Sequence, residues 1–161
     1  MTDKARKARL LHYSRYPLQC VRSRQQRDES IKPFGLWVSV EGDQDWRQWC
    51  EEEAFELDAL AVEHEVTLKP DANILTLSDS LDVREFGERY MTGRNRYCSY
   101  LDWSRVANEY SGIIIAPYQW SCRLDQETFW YYGWDCASGC IWDASAIQRF
   151  HMVATLPKEK P

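Results

Sequence analysis

One carboxylate stands within the most aromatic part of this chain. Residues 118–142, called here the aromatic segment, contain eight aromatic side chains, and Asp135 is the single acidic residue between Trp130 and Trp142. Aromatic rings bury large areas and offer faces on which a flat ligand can stack. Because apolar surroundings strengthen the field of a charge that they shield, Asp135 is the first candidate for catalysis. The alternative is a tryptophan-rich core that leaves Asp135 in an exposed turn.

The cysteines do not indicate a metal site. Six are present, without the CxxC spacing of zinc sites: Cys20, Cys50, Cys98, Cys122, Cys136 and Cys140. Cys136 and Cys140 with His151 would lack a fourth ligand nearby in the sequence, so no metal is expected. Either thiol could act as a nucleophile with His12 or His151 as its base, but no spacing places a base beside a thiol. We expect reduced thiols in a cytoplasmic protein.

Positive charge is concentrated at the beginning of the chain. The formal net charge is −5, yet residues 1–30 carry eight basic and three acidic side chains, and the remainder carries twelve and twenty-two. Residues 1–9 are expected to form a basic arm that contacts the acidic body. Arg15, Arg22 and Arg24 lie beside a predicted strand and its loop, where guanidinium groups could pair with a phosphate-bearing ligand.

The length of 161 residues fits a single domain, which we place at residues 10–156 with a polar tail at 157–161. No apolar run approaches the ~20 residues that cross a bilayer, and no apolar stretch follows the charged N-terminus. We therefore expect no membrane partner.

Two short strands are predicted to position polar candidates. Residues 10–15 and 34–40 have strand-like composition and are followed by Pro17 and Gly42. Side chains alternate between the faces of a strand, so His12 and Ser14 share one face of the first strand. Trp37 and Ser39 share one face of the second strand.

The remaining pattern predicts an α+β domain with a mixed, largely antiparallel sheet and flanking helices. Helices are expected near residues 46–55, 80–90 and 103–110, capped by Asp45, by Ser78 or Ser80, and by Asp102, with Gly112 ending the third. Further strands are expected at 64–68 and 73–77, either as a hairpin or as two sequential segments of the sheet, and at 113–116 and 150–156, with a polar loop at 91–99. The sequence has neither a GxGxxG turn nor a GxxxxGK[ST] loop. A doubly wound nucleotide-binding fold therefore fits this sequence badly, since both the dinucleotide fingerprint and the phosphate loop are absent.

The order of these motifs resembles that of ADP-ribosyltransferase-like domains. His12-Tyr13-Ser14 on the first strand, Trp37-Val38-Ser39 on the second and a late acidic residue match the distributed triad of that superfamily. Members take a His or Arg from strand one, an aromatic or Ser-containing motif from strand two, and an acid from a late strand or the turn before it. This chain departs from the pattern because it has no Glu-x-Glu, so Asp135 would replace a longer glutamate.

The resemblance implies a split sheet, NAD as substrate, and transfer of ADP-ribose to a protein or nucleic-acid acceptor with release of nicotinamide. It implies that Asp135, His12 and Trp37 are catalytic, with Asp135 stabilising the positive charge that develops on the sugar. Asp143 and Gln119 are the alternatives should Asp135 be buried in a salt bridge.

The resemblance also implies how NAD would be held. Trp37 or Tyr13 would stack on the nicotinamide ring, and His12 would hydrogen-bond the adenosine ribose or the pyrophosphate. Two further groups complete the expected NAD contacts: Ser14, Ser39, Trp134 and Ser138 around the rings and hydroxyls, and Arg15, Arg22 and Arg24 on the diphosphate.

Two other classes of function remain open on the sequence. The aromatic segment could serve as a protein interface in a non-enzymatic assembly module. The basic head with aromatic stacking could bind nucleic acid, although the acidic body argues against broad duplex binding. Residues 32–37 and 133–142 also resemble segments of small bacterial and phage proteins without an assigned activity.

Overall fold

A seven-stranded sheet forms the centre of the computed structural model, which describes residues 8–42, 44–97 and 99–155. The described strands are β1 (Leu10–Ser14), β2 (Leu36–Val40), β3 (Val62–Leu68), β4 (Ile74–Leu77), β5 (Met91–Arg94), β6 (Ser99–Leu101), β7 (Gly112–Ile115), β8 (Ser138–Ile141) and β9 (Ile147–Thr155). The strand order of the seven-stranded sheet is β4-β7-β8-β2-β1-β3-β9. In the seven-stranded sheet β4 and β7 are parallel, and the other neighbouring pairs are antiparallel.

The predicted α+β class with a largely antiparallel sheet is therefore confirmed. The split sheet that the resemblance implied is not formed, because the seven strands are hydrogen-bonded into one continuous sheet and, among the described residues, only β5 and β6 pair separately. One local prediction is corrected, because residues 91–94 and Ser99 belong to the β5–β6 hairpin rather than to a loop. Of the two alternatives for the strands at 64–68 and 73–77, the hairpin is not formed, since β3 and β4 lie toward opposite edges of the sheet.

Aspartates begin the three longer helices. The helices are α1 (Trp46–Glu53), α2 (Ser80–Tyr90), α3 (Trp103–Glu109) and the short α4 (Trp120–Arg123). Asp45 and Asp102 accept hydrogen bonds from backbone N–H groups three residues later, as the capping pattern predicted. The cap of α2 is Asp79, whereas the sequence pointed to Ser78 or Ser80. Gly112 does not end α3 but begins β7.

Most of the aromatic segment belongs to the hydrophobic core. Trp130 and Tyr131 are fully buried in a 3₁₀ turn (Phe129–Gly133), and they pack with the rings of α2 and α3. Gly87 in α2 allows this close packing, since a Cβ there would lie 2.6 Å from Nε1 of Trp130. The segment also supplies β8, which the sequence did not predict and which pairs between β7 and β2.

The ends of the expected domain lie partly outside the described residues. The basic arm at residues 1–9 is described only at its end, where Arg9 forms ion pairs with Glu41, Glu63 and Glu65. The expected tail at residues 157–161 is outside the description altogether. Within residues 8–42, 44–97 and 99–155, no helix has the length and apolar composition needed to span a membrane.

Candidate functional site

A cavity of about 350 Å³ opens where β1, β2 and the turn before β8 meet. We call it the sheet cavity. Since β2 lies between β1 and β8 in the sheet, three segments that are far apart in sequence contribute neighbouring walls. The predicted site residues that line it are His12, Tyr13, Trp37, Ser39, Trp134, Asp135 and Ser138. Its volume lies in the range of roughly 300–1,000 Å³ found for small-molecule sites.

Trp37 presents a ring to this cavity. The edge of Trp134 packs against it, with ring centroids 4.9 Å apart, and Trp134 itself is buried. The ammonium group of Lys32 lies over the Trp37 ring, 5.2 Å from its centroid. A tryptophan face attracts cations because its π-electrons carry negative charge. The Lys32 ammonium therefore covers the Trp37 ring in the sheet cavity.

Lys32 is held at this position by its loop. Ser30 donates a hydrogen bond to the Lys32 carbonyl at 2.7 Å. Gly133 leaves room for the lysine side chain, because a Cβ at this position would lie 2.8 Å from Cε of Lys32. No local sequence pattern indicates that Lys32 contacts the cavity, because its position depends on the path of the loop before β2.

Asp135 occupies the turn between the 3₁₀ turn and β8, with about a quarter of its side chain exposed. Its carboxylate lies 3.5 Å from Nη2 of Arg123. Burial raises the pKa of Asp135 above its ordinary value, while the positive charges of Lys32 and Arg123 act in the opposite direction. The carboxylate is thus half-buried and still open to the cavity, rather than in an exposed turn.

The two alternative acids or amides have structural roles. Asp143 caps a short 3₁₀ turn (Ala144–Ala146) by accepting from the Ser145 N–H, and this bonding lowers its pKa. Gln119 donates to the carbonyls of Ser78 and Pro117. Neither residue lines the sheet cavity.

His12 has a defined tautomer. Its Nδ1 lies 2.7 Å from the carbonyl oxygen of Trp37, and a carbonyl can only accept, so Nδ1 carries the proton. Burial lowers the pKa of His12, and the neutral ring therefore has a lone pair on Nε2. His64 lies next to it with ring centroids 6.0 Å apart, and its Nε2 accepts from the Leu18 N–H. The His12 ring packs beside His64 and Phe150, on the face of the sheet opposite to the side chains of Trp37 and Ser39, so it is not presented to a ligand on the Trp37 face.

The serines of the cavity wall also bond to the backbone. The hydroxyl oxygen of Ser39 accepts from the Trp46 N–H at 2.9 Å, and Ser138 donates to the Cys136 carbonyl at 3.0 Å. The Ser39 hydroxyl can still donate a hydrogen bond to a ligand, and the Ser138 hydroxyl can still accept one. Ser14 does not line the cavity and donates to the carbonyl of Tyr16.

Tyr13 is backed by a charged pair. The guanidinium of Arg47 lies 5.3 Å from the centre of the Tyr13 ring and donates to Glu63 at 2.8 Å. Burial raises the pKa of Tyr13 to about 12, so its phenol remains protonated at neutral pH. The Tyr13 hydroxyl can therefore take part in hydrogen bonds but not as an anion.

The arginines expected at a diphosphate are not brought to the cavity. Arg15 pairs with Asp58 at 2.9 Å and Glu56 at 3.6 Å, and Arg22 and Arg24 are exposed outside the cavity wall. β1 ends at Ser14, and the following chain bonds to the sheet elsewhere, where the Leu18 N–H donates to His64 and the Arg24 N–H donates to the Trp142 carbonyl. Lys32 and Arg123 are the cations that act on Asp135. Arg123 had a sequence signal, since it lies in the aromatic segment three residues after Trp120.

The thiols are not prepared for nucleophilic attack. Burial raises the pKa of Cys136 to about 12 and also raises the pKa of Cys140. Among the described residues no group of three or more His, Cys, Asp or Glu side chains could hold a metal ion. Five cysteines of the described chain are free thiols: Cys20, Cys50, Cys122, Cys136 and Cys140.

The aromatic segment as a whole is not available as an interface. Trp130, Tyr131, Trp134 and Trp142 are at most 3% exposed, and only Trp120 and Tyr132 among its large rings are strongly exposed. What the geometry offers is a cavity with an aromatic face, a carboxylate and a neutral phenol from adjacent segments of the sheet. Comparison of the chain with protein-family models, curated proteins and solved structures found no match.

Proposed function

We propose that the chain binds NAD in the sheet cavity and transfers its ADP-ribose to an acceptor, releasing nicotinamide. One observation carries the proposal. Trp37 on β2 and Asp135 in the turn before β8 line the same cavity, with Tyr13 of β1 beside them, and β1, β2 and β8 are neighbours in the sheet. The strand-two and late acidic residues that the resemblance to ADP-ribosyltransferase-like domains implies thus share one cavity, whereas the ring of the strand-one residue His12 lies on the opposite face of the sheet.

Asp135 has the position and environment for the central step. The bond between the anomeric carbon and the nicotinamide nitrogen breaks, and neutral nicotinamide leaves with the electron pair. The sugar becomes cationic, and a nearby carboxylate stabilises that charge more strongly in a partly buried site than in water. The acceptor then bonds to the anomeric carbon and loses its proton, which balances the reaction as ADP-ribosyl acceptor, nicotinamide and H⁺.

Trp37 would bind the ring that leaves. The nicotinamide ring of NAD is flat and positively charged, so it satisfies the same cation–π attraction that now holds the Lys32 ammonium. Binding of NAD would therefore exchange one cation over Trp37 for another. Lys32, once displaced, remains tethered at the mouth of the cavity, where its charge complements the diphosphate.

Tyr13 and the serines would orient the sugars. The Tyr13 hydroxyl can donate to a ribose oxygen, and Ser39 and Ser138 can each form one hydrogen bond with a ligand. His12 would act indirectly, because its Nδ1 donates to the Trp37 carbonyl and supports the strand that carries the stacking ring.

The reaction is tested by incubating the full chain with NAD and measuring nicotinamide by mass spectrometry. Wild type should release nicotinamide, and Asp135→Asn should lower the rate by about 10³-fold, comparable with the loss of one stabilising group in other enzymes. The matched control is Asp71→Asn, which removes an exposed carboxylate outside the cavity. Equal rates for wild type and Asp135→Asn, with the fold intact by circular dichroism, would overturn the proposal.

A further inference from the structure

A second feature, on the surface beside Asp135, concerns the acceptor. We propose that single-stranded nucleic acid binds along a path from Arg123 over the exposed aromatic rings to a second cavity, and that it receives the ADP-ribose. The transfer part rests on the proposed function, whereas the binding part can be tested without it. We call the path the aromatic–arginine surface; its residues are Arg94, Arg96, Tyr97, Trp120, Arg123, Leu124, Phe129 and Tyr132.

The path begins at the candidate catalytic group. Arg123 lies 3.5 Å from the Asp135 carboxylate. The same guanidinium lies 5.9 Å from the Trp120 ring and 5.8 Å from the Tyr132 ring. Trp120 is 57% exposed and Tyr132 is 48% exposed, so both offer ring surface to a ligand. A molecule held on these rings would therefore lie directly beside the sheet cavity.

The path continues by direct contact away from the cavity. Tyr132 stacks on Phe129 with ring centroids 5.3 Å apart and planes 19° from parallel. Phe129 in turn lines a second cavity of about 440 Å³ together with Arg94 and Arg96 of the β5–β6 hairpin. Tyr97, at the tip of the same hairpin, is 75% exposed under the Arg96 guanidinium, 5.9 Å away. Exposed rings and arginines thus alternate along the whole surface.

The charge of this surface is opposite to that of the protein. The carboxylates of Asp125 and Glu127 near the second cavity are both bonded to Arg84. The charged side chains in and beside this surface comprise four positive and three negative ones: Arg84, Arg94, Arg96 and Arg123, and Asp125, Glu127 and Asp135. The chain as a whole has a formal charge of −5. An anionic ligand is therefore favoured on this surface and disfavoured on the rest of the protein.

Single-stranded nucleic acid has the matching chemistry. Its bases stack on aromatic rings, and its phosphates pair with arginines, with little dependence on base sequence. A duplex hides the faces of its bases and would bring its phosphates against the acidic body. The base amino groups or sugar hydroxyls of a strand are nucleophiles that can attack the anomeric carbon of NAD as nicotinamide leaves. The nucleophile loses one proton to solvent, and no reactant besides NAD and the strand is needed.

Binding is measured by fluorescence anisotropy with labelled 12-nucleotide single-stranded RNA and DNA, the corresponding DNA duplex, and an acidic peptide. We expect at least one single strand to bind more tightly than the duplex and the peptide, with affinity that falls as salt rises. The double variant Arg96→Gln/Tyr132→Ala should bind the strand at least 10-fold more weakly. The matched control is Arg149→Gln/Tyr16→Ala, which removes an exposed arginine on β9 and an exposed tyrosine after β1.

Transfer is measured in the same samples by the mass of the oligonucleotide and by nicotinamide release. The double variant Arg96→Gln/Tyr132→Ala, called here the path variant, should label the strand at least 10-fold less than wild type. Its slow release of nicotinamide with water as the acceptor should be retained. Tight binding to the peptide but not to the strand, or equal strand affinities for the path and control variants, would overturn the nucleic-acid proposal. Absence of nicotinamide release with intact strand binding would instead refute the transferase chemistry and leave the binding surface standing.

Discussion

Two aromatic regions of this protein differ in what covers their rings. In the core, Trp130 is packed against Phe86, Tyr131 and Trp134 with ring centroids 5.1 to 6.5 Å apart, and its ring is wholly buried. In the sheet cavity, Trp37 contacts Trp134 on one side and a lysine ammonium on another. A ring covered by other core rings is fixed. A ring covered by a flexible, strongly hydrated cation can be uncovered by a ligand.

The largest expected effect is on stability, and it tests the core half of this comparison. Trp130→Ala should lower the free energy of unfolding by about 3–5 kcal/mol, because it leaves a cavity in close-packed surroundings. Trp37→Ala should cost clearly less, since part of its ring already faces the sheet cavity. Urea denaturation followed by circular dichroism measures both. Equal losses for the two variants would mean that Trp37 is an ordinary core residue.

A smaller effect is expected from the phenol of the cavity. Tyr13→Phe keeps the ring beside the Arg47 guanidinium but removes the hydroxyl that can bond to a ligand. Loss of one hydrogen bond of about 1 kcal/mol should raise the KM for NAD about fivefold with little change in unfolding free energy. Steady-state kinetics against NAD concentration would show this. An unchanged KM would remove the Tyr13 hydroxyl from the NAD contacts.

The smallest effect concerns pH. Turnover requires ionised Asp135, so it should fall as the pH drops through a pKa that burial holds above the ordinary value. Lys32 opposes this rise, and its replacement in Lys32→Met should therefore move the fall in activity to higher pH. Lys69→Met, which removes an exposed lysine elsewhere, should leave the profile unchanged. A shift to lower pH in Lys32→Met would contradict the assigned role of Lys32.

Much of the fold follows from local signals in the sequence. Alternation located β1 and β2, and with them the cavity position of Trp37, while aspartate caps at Asp45 and Asp102 located two helices. The strand β8 was missed, because Ser-Gly-Cys-Ile has weak strand character and is buried at every position. Its pairing between β7 and β2 is a long-range property that periodicity does not contain.

Only part of the site could be predicted from the sequence. Trp37 and Asp135 reach one cavity because β2 and β8 are adjacent, and the resemblance supplied that order, but alternation along β1 turns the His12 ring to the other face of the sheet. The cationic residues were assigned to Arg15, Arg22 and Arg24 by sequence proximity to β1. The structure brings Lys32 instead, since the loop before β2 is fixed by hydrogen bonds of Gln26 to both backbone groups of Phe34. Such loop contacts have no regular sequence pattern.

The central claim is that the aromatic face under Lys32 receives the nicotinamide ring of NAD. Isothermal titration calorimetry with NAD tests it most directly in the Asp135→Asn background, where the ligand should stay intact. We predict that Asp135→Asn binds NAD and that Asp135→Asn/Trp37→Leu binds it at least 10-fold more weakly, because the cation–π contact is lost. Equal affinity of the two variants, or no binding of NAD by either, would contradict the account.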